Sequence, residues 1–114
     1  MSHRITEWLK TMFSSIPLER SAEAQADVDR ACQRLALYHF MSCPFCQRVR
    51  SQIERLALPI ELRDTQRDPR HRQELMAGGG RTMVPCLRIE KADGTLEWMY
   101  ESADINRYLE QRFG

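Results

Sequence analysis

The chain has 114 residues, and 17 Lys and Arg set against 16 Asp and Glu leave a net charge of +1. That length is one domain's worth, and so small a net charge gives no field to gather nucleic acid or an acidic membrane. Hydrophobic residues at 42% suit a globular core, and four cysteines are too few for a secreted disulfide scaffold. No apolar run approaches the ~18 residues of a membrane span. Charges at Arg4, Glu7 and Lys10 break up any secretory h-region, so a cytoplasmic location is expected.

In chain order, Ile5, Trp8, Leu9, Met12 and Phe13 share one helical face, and Ser14-Ser15-Ile16-Pro17 interrupts it. A second helix is expected from Ser21 as N-cap, with Glu23 in its first turn and Ala24, Val28, Ala31 and Leu35 as its stripe. Residues 1–33 thus form a helical extension that covers the core. Docking of Trp8 and Phe13 on a membrane surface or a second subunit is the lesser alternative. Leu35–Phe40 reads as a buried strand, and Val49, Ile53 and Leu56 mark a helix over about 44–57. A half-buried strand follows at Leu58–Arg63, making a βαβ unit with parallel strands. Asp68-Pro69 starts a helix to about Met76, and Gly78-Gly79-Gly80 ends it rather than cradling phosphate, since no Lys-Ser/Thr follows. The charges from Arg63 to Arg72 read as a solvated face.

Val84 to Tyr100 alternates as a hairpin turning at Asp93-Gly94. Ser102 is expected to cap a last helix whose Ile105, Tyr108 and Leu109 face the core. The fold class is α/β: a four-stranded mixed sheet flanked by helices over 34–114, after the extension.

Chemistry concentrates at Cys43-Pro44-Phe45-Cys46, where the first strand ends and a helix begins. First-turn amides lack intrahelical partners and the helix dipole is positive there. Cys43 as N-cap can accept from the N–H groups of Phe45 and Cys46, which favours its thiolate. Cys46 falls in phase with Val49, Ile53 and Leu56, so it is the covered thiol. An exposed sulfur that attacks and a covered one that resolves suit disulfide exchange. A zinc half-site or a static disulfide would use the same spacing, but there is no second C-x-x-C to complete a zinc site. No metal is expected. Cys32 and Cys86 read as buried packing, Cys86 with a regulatory thiol as alternative. His39 and His71 show no acid–base pattern.

Three segments in order carry a family resemblance: Cys43–Cys46, Thr82-Met83-Val84-Pro85, and Tyr100-Glu101-Ser102-Ala103-Asp104-Ile105. The chain resembles a glutaredoxin of the thioredoxin-fold superfamily, closest to the transferase-like glutaredoxins, with an N-terminal extension. The resemblance implies a redox-active disulfide between Cys43 and Cys46, with glutathione as reducing co-substrate. It also implies a cis Pro85, and a glutathione site built from Phe45, Met83, Val84, Pro85, Glu101 and Ser102. Many glutaredoxins have a basic residue where Phe40 stands, so Arg48 or Arg81 is expected to take the glycyl carboxylate. Glutathionylated or disulfide-bonded proteins are the implied partners. Alternatives are a glutathione-ligated iron–sulfur cluster, which Pro44 disfavours, and a glutathione transferase, whose helical second domain this sequence does not contain.

Overall fold

The computed structural model describes residues 18–114. The amphipathic stretch at 5–13 and its break at 14–17 lie outside the described residues. Helix α1 (Ala22–Cys32) starts where expected: the Ser21 hydroxyl accepts from the Ala24 N–H at 3.1 Å. Strand β1 (Leu35–His39) is buried at all five positions, as a central strand covered on both faces must be. Helix α2 (Pro44–Arg55) has Cys43 as N-cap and proline in its first turn.

Helix α2 ends in a Schellman motif. The Leu58 N–H reaches Ile53 O at 3.0 Å and the Ala57 N–H reaches Glu54 O at 3.1 Å, with Ala57 at φ 52°. The next strand then begins later than its apolar pattern implies. Ile60 N–H bonds to Leu58 O at 2.8 Å in a tight turn around Pro59, so Leu58 and Ile60 fill the core without entering the ladder. Strand β2 is therefore Glu61–Asp64.

Helix α3 (Pro69–Gly79) is capped by Asp68, whose Oδ1 accepts from Arg70 N–H at 3.0 Å. It runs three residues past the expected end, and Gly80 at φ 86° stops it. The reason is packing. A Cβ on Gly78 would lie 2.0 Å from Trp98, and one on Gly79 would lie 2.0 Å from the Tyr100 hydroxyl. Bare helix backbone therefore rests on two aromatic side chains, which overrides the poor helix propensity of glycine.

Strands β3 (Cys86–Glu90) and β4 (Leu96–Tyr100) form the expected hairpin. Lys91 and Thr95 close its turn at 2.8 Å, with Gly94 at φ 87°. The sheet order is β2-β1-β3-β4, with β1–β2 parallel and the other two pairs antiparallel. Helix α4 (Ser102–Phe113) closes the chain.

One core cluster joins Leu35, Leu37, Leu87 and Ile89 of the sheet to Val49 and Ile53 of α2 and to Ile105 and Leu109 of α4. Leu18, Val28 and Ala31 pack against it from the N-terminal side. The opposite face of the sheet buries Tyr38 and Cys86 against Leu75 of α3. Arg20 ties the far ends of two helices together, bonding Leu56 O and Phe113 O at 2.6 Å each. Arg63 departs from the solvated face read for its segment: its guanidinium donates to the buried Tyr38 hydroxyl at 2.7 Å and pairs with Glu61 and Glu74. No helix among the described residues is long and apolar enough to cross a membrane.

Candidate functional site

The buried strand β1 delivers the chain to a short turn, and the turn delivers Cys43 to the N-terminus of α2. Cys43 N–H bonds to Phe40 O at 3.2 Å. The Cys43 sulfur in turn accepts from the Cys46 N–H at 3.4 Å. Of the two amides expected to serve it, only that of Cys46 does so; no hydrogen bond joins it to Phe45. Both cysteines are free thiols. Cys46 is wholly covered, and Cys43, expected to be exposed, keeps only 8% of its surface. The order of exposure is as read, but the contrast is small because the N-cap sulfur is tucked against its own helix. Burial pushes the Cys46 thiol well up, its contact with Cys43 adds to this, and the Phe40 amide and the Arg50 charge work against it.

A cleft of about 360 Å³ opens at Phe45, between the two cysteines in sequence, although neither Cys43 nor Cys46 lines it; its volume is within the ~300–1,000 Å³ of small-molecule sites. Phe45 and Arg48 of α2 form one wall; Met83, Val84 and Pro85 form a second; Glu101 and Ser102 form the third. The Val84–Pro85 bond is cis, as the resemblance implies. Three sequence segments, at 45–48, 83–85 and 101–102, thus meet around one hollow. Tyr100 and Ala103 complete the lining, and neither is among the expected site residues. Tyr100 had a visible signal, as the first residue of the motif that continues into Glu101 and Ser102, but it read only as the end of the hairpin arm.

Two placements differ from expectation. Arg81 does not line the cleft: its guanidinium lies 4.3 Å from the Tyr100 ring centre, and its carbonyl accepts from the Tyr100 hydroxyl at 2.9 Å. Arg48 does line it, 5.3 Å from the Phe45 ring centre. Ser102 is not the N-cap. The backbone turns at Glu101, which has φ 74°, so the helix begins with Ser102 itself.

No side chain caps α4, which leaves its first-turn amides facing the cleft without a side-chain partner. A glutathione molecule fits this donor set. Free amides at a helix N-terminus suit a carboxylate, Glu101 suits an ammonium, and the Arg48 guanidinium suits a second carboxylate. Among the described residues no group of three or more His, Cys, Asp or Glu is placed to hold a metal ion.

The remaining thiols lie in the core. Burial pushes Cys86 up to about 12 and, helped by Asp29, Cys32 up to about 11. His39 is buried at the end of β1, and its burial followed by the Arg50 charge lowers its pKa.

Comparisons with known proteins agree with this geometry. The family model "Glutathione S-transferase, N-terminal domain" matches residues 37–114. Among solved structures, maleylacetoacetate isomerase from Anaeromyxobacter dehalogenans 2CP-1 is 27% identical, over 69% of this chain and 36% of that one, with a TM-score of 0.53. That structure has dicarboxyethyl glutathione and citrate in its active site. Another structure of the same protein, 28% identical over 69% of this chain and 37% of that one, has GSH there, at the same TM-score of 0.53. Glutathione transferase Omega 3C from Trametes versicolor is 23% identical over 84% of this chain and 42% of that one, with a TM-score of 0.59; it bears on the fold alone. This chain therefore spans little more than a third of the isomerase. No curated protein matches the chain. With the family model covering well over half of its length, the chain belongs to the glutathione S-transferase N-terminal domain family and has its thioredoxin-like fold.

Proposed function

We propose that this domain is a glutathione-dependent thiol–disulfide oxidoreductase of the glutaredoxin type, with Cys43 as nucleophile. The Cys43 thiolate attacks the glutathionyl sulfur of a mixed disulfide, the protein thiolate leaves and takes a proton, and glutathione stays on Cys43. A second glutathione thiolate then attacks that disulfide, releasing oxidised glutathione and restoring Cys43. Alternatively Cys46 displaces the first glutathione and closes an internal disulfide. Electrons thus pass from the glutathione pool of a reducing compartment to the substrate disulfide, with a potential of roughly −200 to −230 mV, as in glutaredoxins.

The observation that carries this reading is an N-cap thiol on α2, the helix whose Phe45 and Arg48 line a cleft shared with Val84, Glu101 and an uncapped helix N-terminus. The cleft offers glutathione its backbone and end-group partners, and the sulfur is next to it in sequence. The test is glutathione-dependent reduction of a small mixed disulfide, coupled to glutathione reductase. Cys43→Ser abolishes turnover, while Cys46→Ser keeps much of it through the monothiol route. Full turnover in Cys43→Ser refutes the assignment.

The family match supports a second reading, transfer of glutathione to an electrophile. The two separate by product: oxidised glutathione for exchange, a thioether for transfer.

A further inference from the structure

We propose that Arg50 is a positioning residue for the nucleophile, fastening the turn that carries Cys43 to the face of helix α2. The proposal takes the thiol–disulfide reading of the site as its frame. Arg50 lies on α2 one turn beyond Cys46, and its guanidinium reaches back over the turn. Nη1 lies 3.1 Å from His39 Nδ1 and 3.3 Å from Phe40 O, and Nη2 lies 3.2 Å from Met41 O. Three successive residues before the active-site motif are thus held by one planar cation. Only a fork of several N–H donors spans three such acceptors.

The middle acceptor links this clasp to the chemistry. Phe40 O also accepts the Cys43 N–H at 3.2 Å, and Cys43 Sγ accepts the Cys46 N–H at 3.4 Å. A chain of hydrogen bonds therefore runs from Arg50 through Phe40 and Cys43 to the first turn of the same helix that bears Arg50. The far side of the turn is fixed independently, because His39 O accepts from the Thr65 N–H at 2.9 Å. With its Nδ1 facing a guanidinium, His39 acts as an acceptor, so it is neutral with its proton on Nε2. Burial favours that neutral ring. The Arg50 charge also opposes the burial of Cys46, so one side chain steadies the attacking thiol and eases ionisation of the resolving one.

Nothing in the substrate cleft requires Arg50, which is not among its lining residues. Loss of the clasp therefore affects the rate of attack and leaves glutathione binding intact. The experiment compares Arg50→Met and Arg50→Lys with wild type by three measurements: kcat and KM for glutathione in the mixed-disulfide assay, the iodoacetamide alkylation rate of Cys43 resolved by peptide mass spectrometry, and the unfolding midpoint. Arg50→Met lowers kcat and the Cys43 alkylation rate by about tenfold, the scale of one charge-assisted hydrogen bond, with KM for glutathione changed less than about twofold. Arg50→Lys keeps the charge and can reach one carbonyl, so it recovers to within about threefold of wild type.

A folded Arg50→Met with wild-type kcat and alkylation overturns the proposal. So does a raised KM at unchanged kcat, which would make Arg50 a substrate contact. Where Arg50→Met does not fold, His39→Leu removes one of the three acceptors and slows Cys43 alkylation by about threefold; an unaltered rate there also overturns it. Absence of glutathione turnover in the wild type would defeat the proposed function instead, and the alkylation comparison would still decide the role of Arg50.

Discussion

Adjacent glycines near the end of α3 separate stability from substrate binding. Gly78→Ala places a methyl 2.0 Å from Trp98 Cζ2 and 2.6 Å from its Cε2, against a ring already packed 5.5 Å from the Tyr38 ring centre. That ring has little room to give. Overpacking costs about 1–3 kcal/mol, and the better helix propensity of alanine returns about 1 kcal/mol. A net loss of up to about 2 kcal/mol is expected, or up to roughly 16 °C in unfolding midpoint for a domain of this size. Gly79→Ala meets only the far end of a side chain, the Tyr100 hydroxyl at 2.0 Å. Tyr100 can swing aside, giving up its bond to Arg81 O and the Arg81 stacking contact. Those losses, about 1 and about 0.5–1 kcal/mol, nearly cancel the gain in propensity, so stability falls by less than about 1 kcal/mol. Tyr100 lines the cleft, however, and its movement should raise KM for glutathione by about fivefold, equivalent to about 1 kcal/mol. Urea unfolding and steady-state kinetics on both variants test the argument. A stabilised Gly78→Ala, or a Gly79→Ala with wild-type KM, would refute it.

The left-handed residue that ends α2 gives a second test. Ala57→Gly removes the strain of φ 52° within the Schellman motif and should raise unfolding stability by about 0.5–1 kcal/mol in urea; a loss would show that the Ala57 methyl group contributes packing instead. The buried thiols give a third. Burial holds Cys32 at about 11 and Cys86 at about 12, above the 9.0 of a free thiol. Below pH 9 these thiols are neutral in both folded and unfolded chains and their contribution is complete. Above it only the unfolded chain ionises, so stability declines from about pH 9 until the folded thiols themselves ionise. Under reducing conditions the urea midpoint should fall over that range, and Cys86→Ala should flatten the decline. A midpoint independent of pH between 9 and 11 would contradict the burial of these groups.

Much of this fold was written in local pattern. Ser21, Asp68 and the Asp93-Gly94 turn announced their elements because each satisfies its own backbone within two or three residues. The deviations share a different cause. Leu58 and Ile60 have the apolar spacing of a strand, yet Pro59 and the Leu58–Ile60 turn keep them out of the ladder while their side chains still reach the core. Gly78 and Gly79 carry the usual signal of a helix stop, and only the distant Trp98 and Tyr100 explain why the helix continues through them. In each case a contact made elsewhere outweighed a preference readable on the spot.

The same division runs through the candidate site. Phe45, Val84, Pro85 and Glu101 could be named because each belongs to a short motif, and their convergence on one cleft needed only the sheet order to be right. Ser102 misled because serine before an apolar run is a sound capping signal. The left-handed turn at Glu101 moved the helix start by one residue and left its first amides open to a ligand. Arg50 had no signal at all. On a helical wheel it is one more basic residue near the edge of a buried stripe, and its three acceptors lie nine to eleven residues upstream on a turn with no motif of its own. A motif marks the residues that do the chemistry. The residue that holds their backbone in place has to satisfy only the shape of the turn, which appears once the chain has folded back on itself.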